Sequence, residues 1–343
     1  MISNDLLSST LYSIRDGEVD ELYQKTPFLD HARKKGGIEF EDGGIKIQRP
    51  LALEEHSGIT QLQTGYEPVS LAVRDVLRPA IYDWADFTAP IVITKKEELE
   101  NSGEKAVVKI LEARMRSVMG VLRRELNLQI VAGSSARLTD VNSLWGGPSG
   151  VVGTGFLEAD PAGTQTNVVG GIDKALYQGT TGWQNQAVDI AAAFGTNGIR
   201  EMQSAYQRAN VRAPMGEVHL VLLSELAMAN YRRALFAQER YMSDKVLDGG
   251  RMNLAFGGAI VEQDIDLGFN GTSTTWGASR PVSGYMINFD GIKMCLHRDA
   301  DFAISPFEHV SGSTARAAHL YVKCQLIADH LGSQAVLFDG DTY

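Results

Sequence analysis

Residues 94–133 read TKKEELENSGEKAVVKILEARMRSVMGVLRRELNLQIVAG. Six apolar residues in this stretch recur at spacings of three or four, which places them on one face of an α-helix. They are Val108, Leu111, Met115, Val118, Leu122 and Leu126. The spacing therefore predicts one long amphipathic helix whose apolar row faces the sheet of its own chain.

The two ends of this stretch carry signals for where the helix begins and ends. Thr94 and Glu97 have the spacing of a capping box, in which each side chain accepts a hydrogen bond from the other's backbone N–H. Gly133 stands where a helix can end in a left-handed turn. Because Asn101-Ser102-Gly103 interrupts the first turns, we expect the regular helix at residues 104–132. At about 1.5 Å per residue it is roughly 40 Å long, more than a globular domain needs to cover its core.

The composition limits the class of protein. A chain of 343 residues, 44% of them hydrophobic, is long enough for two domains or one elaborated domain with a large core. Its 35 glycines exceed the usual share of about 7%, which indicates many turns and β-connections. The 42 acidic residues outnumber the 32 basic ones, and the net charge of −10 lacks the basic balance of a protein that grips nucleic-acid phosphates.

The sequence indicates neither export nor a membrane span. The first residues carry early acidic groups without an uninterrupted apolar core, and no stretch reaches about 18 apolar residues. The two cysteines, Cys295 and Cys324, are flanked by strand-like sequence. This usage favours two buried free thiols in a reducing cytoplasm over a single disulfide.

Two segments precede the long helix. Residues 1–34 form amphipathic helical pieces, polar enough that we expect them outside the main core. Residues 45–80 are strand-like around a turn at residues 64–68, with no continuous apolar face, and predict an extended two-stranded arm without a core of its own. An isolated hairpin is at best marginally stable. We therefore expect such an arm to be ordered only when it packs on another subunit. An ordinary surface hairpin is the alternative.

The rest of the chain mixes helices and strands without regular βαβ alternation, which indicates an α+β fold. Residues 144–182 are rich in Gly, Thr and Ser and predict short strands and loops. The Asp290-Gly291 turn predicts a β-hairpin between residues 285–289 and 292–296. The remaining predicted elements are a helix at 196–210, a strand at 217–223, a helix after Ser224 to about residue 240, and a long strand at 320–328.

Motifs of catalysis and cofactor binding are missing from the sequence. The glycines at residues 146–155 are not followed by Gly-Lys-Ser/Thr, and Pro148 removes a backbone donor that a phosphate-binding loop would use. No His-Glu-x-x-His, Gly-x-Ser-x-Gly or Cys-x-x-Cys occurs. We therefore predict no enzyme and no cofactor.

One weak metal-site pattern is left open. His297, Asp299 and Asp301 share one side of a strand, and Asp264 with Asp266 forms a similar pair. A solvated strand end is the favoured alternative, because three such side chains alone are a weak metal-site signal.

The order of the parts is a polar arm, an extended hairpin, a long helix, a Gly-rich passage, a mixed domain and a late return strand. This order resembles the major capsid proteins of tailed bacteriophages, whose fold is named after phage Hong Kong ninety-seven. The resemblance covers nearly the whole chain. It is sharpest in three places: WADFTAP at 84–90, Gly170-Gly171-Ile172-Asp173 with Trp183-Gln184-Asn185-Gln186, and the closing strand at 321–328.

The resemblance implies five parts. They are an N-terminal arm at 1–44, an extended hairpin (E-loop) at 45–80, a peripheral domain at 81–195 with a spine helix at 104–132, an axial domain at 196–315, and a return strand at 316–343. Only about 44 residues precede the hairpin, so the resemblance implies a separate scaffolding protein or a processed precursor.

The implied function is that of a major head protein, a structural protein of the virion. The chain would self-assemble through pentamers and hexamers into an icosahedral shell around double-stranded DNA, without sequence-specific binding and without a membrane. Portal and scaffolding proteins are the implied partners, the presence of a decoration protein is left open, and assembly would take place in the host cytoplasm. An encapsulin-like bacterial nanocompartment shell is the alternative.

Nine residues are candidate assembly contacts under this resemblance. They are Lys46, Leu53, Leu71, Arg74, Arg116, Arg123, Arg124, Arg232 and Arg233. A solvated helix face is the alternative for the two arginine doublets. Lys46 is the only lysine of the hairpin, and a solvated strand residue is favoured there over the Lys–Asn crosslink that some relatives make.

Overall fold

The structure of the chain is a computed structural model. It describes residues 4–53, 65, 77–100, 104–131, 145–146, 151–152, 168–176, 183–190, 193–213, 216–237, 245–246, 252–267, 275–276 and 280–340. The helices are α1 (Asn4–Lys25), α2 (Pro27–Lys34), α3 (Lys95–Glu100), α4 (Glu104–Val131), α5 (Ile199–Arg212) and α6 (Glu225–Ala237). The strands are β1 (Ile38–Glu41), β2 (Lys46–Ala52), β3 (Leu77–Asp83), β4 (Ala85–Ile93), β5 (Trp145–Gly146), β6 (Val151–Val152), β7 (Val168–Val169), β8 (Ile172–Asp173), β9 (Gln186–Asp189), β10 (Leu220–Leu223), β11 (Lys245–Val246), β12 (Met252–Phe256), β13 (Ala259–Gln263), β14 (Thr275–Trp276), β15 (Arg280–Ile287), β16 (Ile292–His297), β17 (Ala303–Ile304), β18 (Glu308–His309), β19 (Arg316–Ala328) and β20 (Ala335–Phe338).

The long helix is α4, and its predicted bounds are confirmed to within one residue. The predicted capping box is also present, but it begins the separate short helix α3. The backbone N–H of Thr94 donates to Glu97 Oε2 at 3.1 Å, and the N–H of Glu97 donates to Thr94 Oγ1 at 3.4 Å. The 28 residues of α4 span about 42 Å at 1.5 Å per residue.

The buried face of α4 follows the predicted apolar row. Leu111, Met115, Leu122 and Leu126 are buried, and Val118 is partly buried against the same core. The row also takes in Met119 and continues to Ile130, because a straight helix repeats every 3.6 residues and brings these positions onto the same face. The side chain of Val108 lies outside the described residues.

Two sheets carry most of the fold. The first sheet has six strands in the order β1-β16-β19-β17, with β4 and β18 also paired to β19. Helices α1 and α4 pack together beside it, and α4 contacts β4. The second sheet has eight strands in the order β11-β12-β13-β10-β15-β20-β9, with β14 on β15. Helix α5 packs on β9 and β20, and α6 packs on β13 and β15.

The predicted hairpin across Asp290-Gly291 is wrong in its pairing. The turn exists, since the N–H of Gly291 donates to the carbonyl of Asn288 at 3.1 Å. The strands on either side, however, belong to different sheets: β15 pairs with β10 and β20, and β16 pairs with β1 and β19. Each of the two strands is hydrogen-bonded to a neighbouring strand along both of its edges, so neither has an edge left on which to pair with the other.

The chain passes between the two sheets at two adjacent turns. The N–H groups of Asp329 and His330 donate to the carbonyl of Gly291 at 2.9 and 3.1 Å. The side chain of Gln334, fully buried, donates to the carbonyl of Asn288 and accepts from its N–H, both at 2.9 Å. These bonds hold the outgoing and returning crossings side by side.

Strand pairing divides the chain differently from the predicted domain bounds. Strands β16, β17 and β18 lie inside the predicted axial range 196–315, yet they pair with β19 in the first sheet. Strands β9 and β20 lie outside that range, yet they close the second sheet. Two crossings account for this pairing: the chain leaves the second sheet between β15 and β16 and returns to it between β19 and β20.

The expectation that the N-terminal arm lies outside the main core is also wrong. Leu11, Leu22, Phe28 and Leu29 are all buried in the same core as α4. Helix α1 packs along α4, and the Tyr12 hydroxyl donates to the carbonyl of Ile304 at 2.7 Å. The polar residues that suggested an outside position cover only one side of α1.

The late strand and the two thiols agree with the sequence. β19 buries Leu320, Val322 and Leu326 on one face and exposes Tyr321 on the other. Cys295 and Cys324 are free and buried, as predicted. Burial raises the pKa of both thiols to about 12. Within the part of the chain that the structure describes, no helix is both long and apolar enough to cross a membrane.

Candidate assembly surfaces

The base of the predicted arm is a regular two-stranded ribbon. We call β2 and β3 the hairpin root; they pair antiparallel from Lys46 opposite Asp83 to Ala52 opposite Leu77. The strand-like pieces predicted at 58–62 and 69–73 lie outside the described residues. Gly65 is described, and its φ of +83° is the left-handed conformation that a glycine turn supplies.

The hairpin root has one buried and one exposed face. Ile47, Leu51, Ala80 and Tyr82 point into the main core. The prediction that the arm lacks a core is therefore wrong for the root, because its alternating pattern places every second side chain on the protein's own core. The opposite face is free of such contacts and exposes apolar side chains, including Leu77 at 60%.

Hydrogen bonds between side chains and backbone groups hold the root against the first sheet. The Tyr82 hydroxyl donates to the carbonyl of Ala328 at 3.2 Å and accepts from its N–H at 3.3 Å. The Trp84 indole N–H donates to the carbonyl of Gly44 at 3.0 Å, and the Gln325 amide donates to the carbonyl of Asp83. The root is thus tied through β3 to the sheet that packs with α4, and the residue before β4 holds the segment that leads into β2.

The two motifs that carried the family resemblance meet beneath the root. The Gly170 turn joins β7 and β8, and its carbonyl accepts from the N–H of Ile81 at 2.8 Å. A Cβ on Gly170 would stand 2.8 Å from that of Ala80, so only glycine permits this approach. Trp183, fully buried, donates from its indole N–H to the carbonyl of Ile172 at 3.4 Å.

A charged network joins the root to the edge of the first sheet. Glu39 on β1 binds Arg49 on β2 and accepts from Lys293 Nζ on β16 at 2.6 Å. Lys293 also lies 3.5 Å from the Asp329 carboxylate. The network is partly shielded from water and fixes the direction in which the root leaves the sheet.

An open groove of about 990 Å³ lies beside the root. Its lining includes Ile45, Ile81 and Val168, whose apolar side chains are exposed; Ile45 is exposed at 93%. The Lys46–Asp83 ion pair, 3.1 Å apart, borders the same groove. Contiguous exposed apolar side chains with a polar rim are typical of a protein–protein contact.

The candidate contacts on the hairpin have different positions. Lys46 is half-exposed and pairs with Asp83. Leu53 is only 3% exposed and packs inside its own chain, so its side chain is not available to a neighbour. Leu71 and Arg74 lie outside the described residues.

The arginines on the helices are spread over three surfaces. Arg116 is 64% exposed and binds Glu18 of α1 and Glu112, at 3.1 and 3.0 Å, so it ties α1 to α4. Arg123 and Arg124 line a groove at the other end of α4. Arg232 and Arg233 are exposed on α6, on the second sheet. The structure does not bring these three groups together.

The residues suggested as a metal site do not form a cluster of ligands in the described part of the chain. His297 Nδ1 accepts from the N–H of Asp299 at 3.2 Å, and its ring packs on Trp84. Burial raises the pKa of the Asp301 carboxyl. Among the described residues, no three His, Cys, Asp or Glu side chains converge as metal ligands.

The contacts that hold the root could not be predicted from the sequence, because the partner residues are distant in the chain. Tyr82 and Ala328 are 246 positions apart, and Glu39 and Lys293 are 254 apart. The available signal was the alternation in IQRPLA and LRPAIYD, which marks Ile47, Leu51, Ala80 and Tyr82 as one buried face.

Of the comparisons with known proteins, the one with solved structures gives matches. No protein-family model matches the chain, and no curated protein matches it. Among solved structures, the capsid of an empty GTA particle is 9% identical, with a TM-score of 0.54 over 90% of this chain and 89% of that one. The capsid of cyanophage A-1(L) is 14% identical, with a TM-score of 0.54 over 88% and 89%. The capsid of cyanophage P-SCSP1u is 10% identical, with a TM-score of 0.52 over 88% and 85%.

At these identities the likeness concerns the fold. The chain has the Hong Kong ninety-seven type fold of tailed-phage capsid proteins, an α+β fold, over nearly its whole length.

Proposed function

We propose that this chain is a major capsid protein of a tailed bacteriophage, which assembles with copies of itself into the icosahedral head shell around double-stranded DNA. The observation that carries the proposal is the fold, shared over 88–90% of the chain with capsids of a GTA particle and of a cyanophage. The role is structural rather than enzymatic, and its location is the virion, after assembly in the host cytoplasm.

The hairpin root supports this proposal physically. It fixes the residues on either side of segment 54–76 by hydrogen bonds and a buried face, and it leaves an exposed apolar groove beside them. A closed shell needs one surface repeated around several axes and a segment that ties subunits together. A rigid base with an adjacent apolar groove meets both needs. We infer that Lys46 and the exposed residues of the groove contact a neighbouring copy.

The partners follow from the shell. Pentamers and hexamers of the chain form the lattice, a portal protein occupies one vertex, and a scaffolding protein sets the size. The acidic net charge of −10 suits a wall that encloses DNA without condensing onto it.

Electron microscopy of the expressed chain, alone and with its scaffolding protein, tests the proposal. Closed shells or capsomer rings are the expected result. A chain that stays monomeric under all assembly conditions contradicts it. A shell that encloses one co-purifying enzyme rather than nuclease-protected DNA identifies the encapsulin-like alternative.

A deletion can test the role of the predicted hairpin, and the structure decides which residues it should remove. Removing residues 45–79 would remove the buried Ile47 and Leu51 and so unfold the core. Replacing only residues 54–76 by a short Gly-rich turn keeps the whole root, because Ala52 and Leu77 are its last pair. We expect a folded chain that forms capsomers but no closed shells.

The control for this deletion replaces residues 54–76 by a Gly/Ser linker of the same length. It separates the loss of specific side chains from the loss of reach. Normal shells from the deleted chain would show that the loop is not what ties the subunits together.

A further inference from the structure

The first and second sheets meet at a contact that contains buried acids. We call this contact the seam: it joins α2 and α4 to β13 and to the turn after it, residues 264–267. His31 Nε2 on α2 lies 3.5 Å from Glu262 Oε2 on β13, and both side chains are nearly fully buried. The Asn127 amide on α4 donates to Asp264 at 3.1 Å and to Asp266 at 2.7 Å. A single amide thus bridges two carboxylates across the seam.

The Asp264 and Asp266 carboxylates lie close to a third acid, Glu262, whose neighbour across the seam is His31. Asp264 is 1% exposed, and Glu262, also buried, adds a second negative charge beside it. In the described ranges, neither Asp264 nor Asp266 has an ion pair with a lysine or arginine, although Lys25, Arg123 and Arg124 line the rim of the same groove. Because a buried carboxylate without a counter-charge is costly, this site favours uptake of a proton.

We propose that the seam is a proton-dependent lock between α4 and the second sheet. A proton on the Asp264 carboxyl removes one of two facing negative charges and tightens the seam at mildly acidic pH. Loss of that proton leaves two negative carboxylates on the one Asn127 amide that joins them to α4, and the seam loosens.

The titration of Asp264 supports this direction. Burial raises its pKa to about 6. Hydrogen bonds from the Asp266 N–H and the Asn127 amide oppose this shift, and the nearby charges of Asp266 and Glu262 add a smaller increase. A carboxyl whose pKa is higher in the folded state contributes stability that is complete below its unfolded pKa, 3.8. That stability is lost as the pH rises through about 6.

The location of the lock gives it a structural consequence. Asn127 lies near the C-terminal end of α4, and the adjacent Tyr285 hydroxyl on β15 donates to the carbonyl of Val131 at 3.3 Å. The seam therefore sets how α4 meets the second sheet. Its use in a shell, where one chain must fit different surroundings, rests on the proposed function, but the lock itself is a property of a single chain.

Hydrogen exchange of the unassembled full-length chain tests the lock. Protection factors, corrected for the intrinsic pH dependence of exchange, are compared at pH 5.0 and 7.5 for peptides of the α4 end and β13. We expect protection there to fall by about tenfold at the higher pH, because the titration from pH 5.0 to the folded pKa near 6 covers about one pKa unit. The matching first-sheet peptides, from β16 and β19, should not change.

Variants decide the assignment. Asp264→Asn, which imitates the protonated carboxyl, should remove the pH dependence, whereas Asp299→Asn, at an exposed carboxylate outside the seam, should retain it. If Asp264→Asn does not fold, Asp266→Asn should shift the midpoint to lower pH by removing a neighbouring charge. Protection that does not change with pH, or that changes equally in Asp264→Asn, overturns the proposal. So does protection that follows added Ca²⁺ instead of pH, which would assign the site to a cation.

Discussion

At the hairpin root, each side chain named in a polar contact binds a backbone group or a side chain of opposite charge. At the seam, by contrast, two carboxylates share one amide. Tyr82 has both a donor and an acceptor on Ala328, and Glu39 faces Arg49 and Lys293. The Asp264 carboxylate has no such cation. Both regions join distant parts of the chain, but the seam is where we propose that a proton strengthens the contact rather than weakening an ion pair.

The difference teaches where this fold is fixed and where it can adjust. The root has to present residues 54–76 in one direction, and saturated hydrogen bonds with a buried face suit that task. The seam joins two sheets that each have their own strand order, so a weaker joint there leaves both sheets intact. The substitutions below test this contrast, beginning with the largest expected effect.

Tyr82→Ala should cause the largest loss, about 3–5 kcal/mol of the free energy of unfolding, because it empties a buried aromatic site at the root. Tyr82→Phe is the matched control and should cost about 1–2 kcal/mol, since it removes only the bonds with Ala328. Urea unfolding at pH 7.5 measures both. A cost for Tyr82→Ala below that of Tyr82→Phe would mean that the root does not pack on the core.

Asn127→Ala should weaken the seam in a pH-dependent way. At pH 7.5 it removes the only amide between two ionised carboxylates and should cost about 1–3 kcal/mol. At pH 5 the cost should be smaller, because a proton on Asp264 already relieves the repulsion. Urea unfolding at the two pH values measures the difference. Equal costs at both would show that Asn127 acts only by packing.

The elements most accurately predicted from the sequence are those whose pattern is local. The apolar spacing of three and four predicted α4 to within one residue, and the alternation at residues 320–328 predicted the larger, C-terminal part of β19. Both patterns lie within one element, so no knowledge of its partner is needed. The same holds for the thiols, whose burial follows from the strands around them.

The errors concern choices between partners. The turn at Asp290-Gly291 is real, but local sequence does not state that β15 and β16 continue into different sheets. The polar pattern of α1 hid Leu11 and Leu22, which are buried against the core. At the seam, Asp264 and Asp266 were considered as a pair, but Asn127 is 137 positions away from Asp264 and could not be linked to it.

Arg49→Gln tests the charged part of the root and should have a moderate effect. Its partners Glu39 and Glu41 are partly exposed, so we expect a loss of about 1 kcal/mol or less. The loss should shrink in 0.5 M NaCl, because salt screens the ion pairs. Urea unfolding with and without salt measures it. A loss that grows with salt would show that the Arg49 stem, not its charge, holds the root.

Lys46→Ala should change folding stability least and yet bear most directly on assembly. The Lys46–Asp83 pair is at least half exposed on both sides, and exposed pairs contribute about 0–1 kcal/mol. Its position at the rim of the exposed groove gives it a different role: we expect a normal urea midpoint but fewer closed shells by electron microscopy. Lys109→Ala, on the exposed surface of α4, is the matched control. If both variants assemble like the original chain, the groove beside the root is not an intersubunit contact.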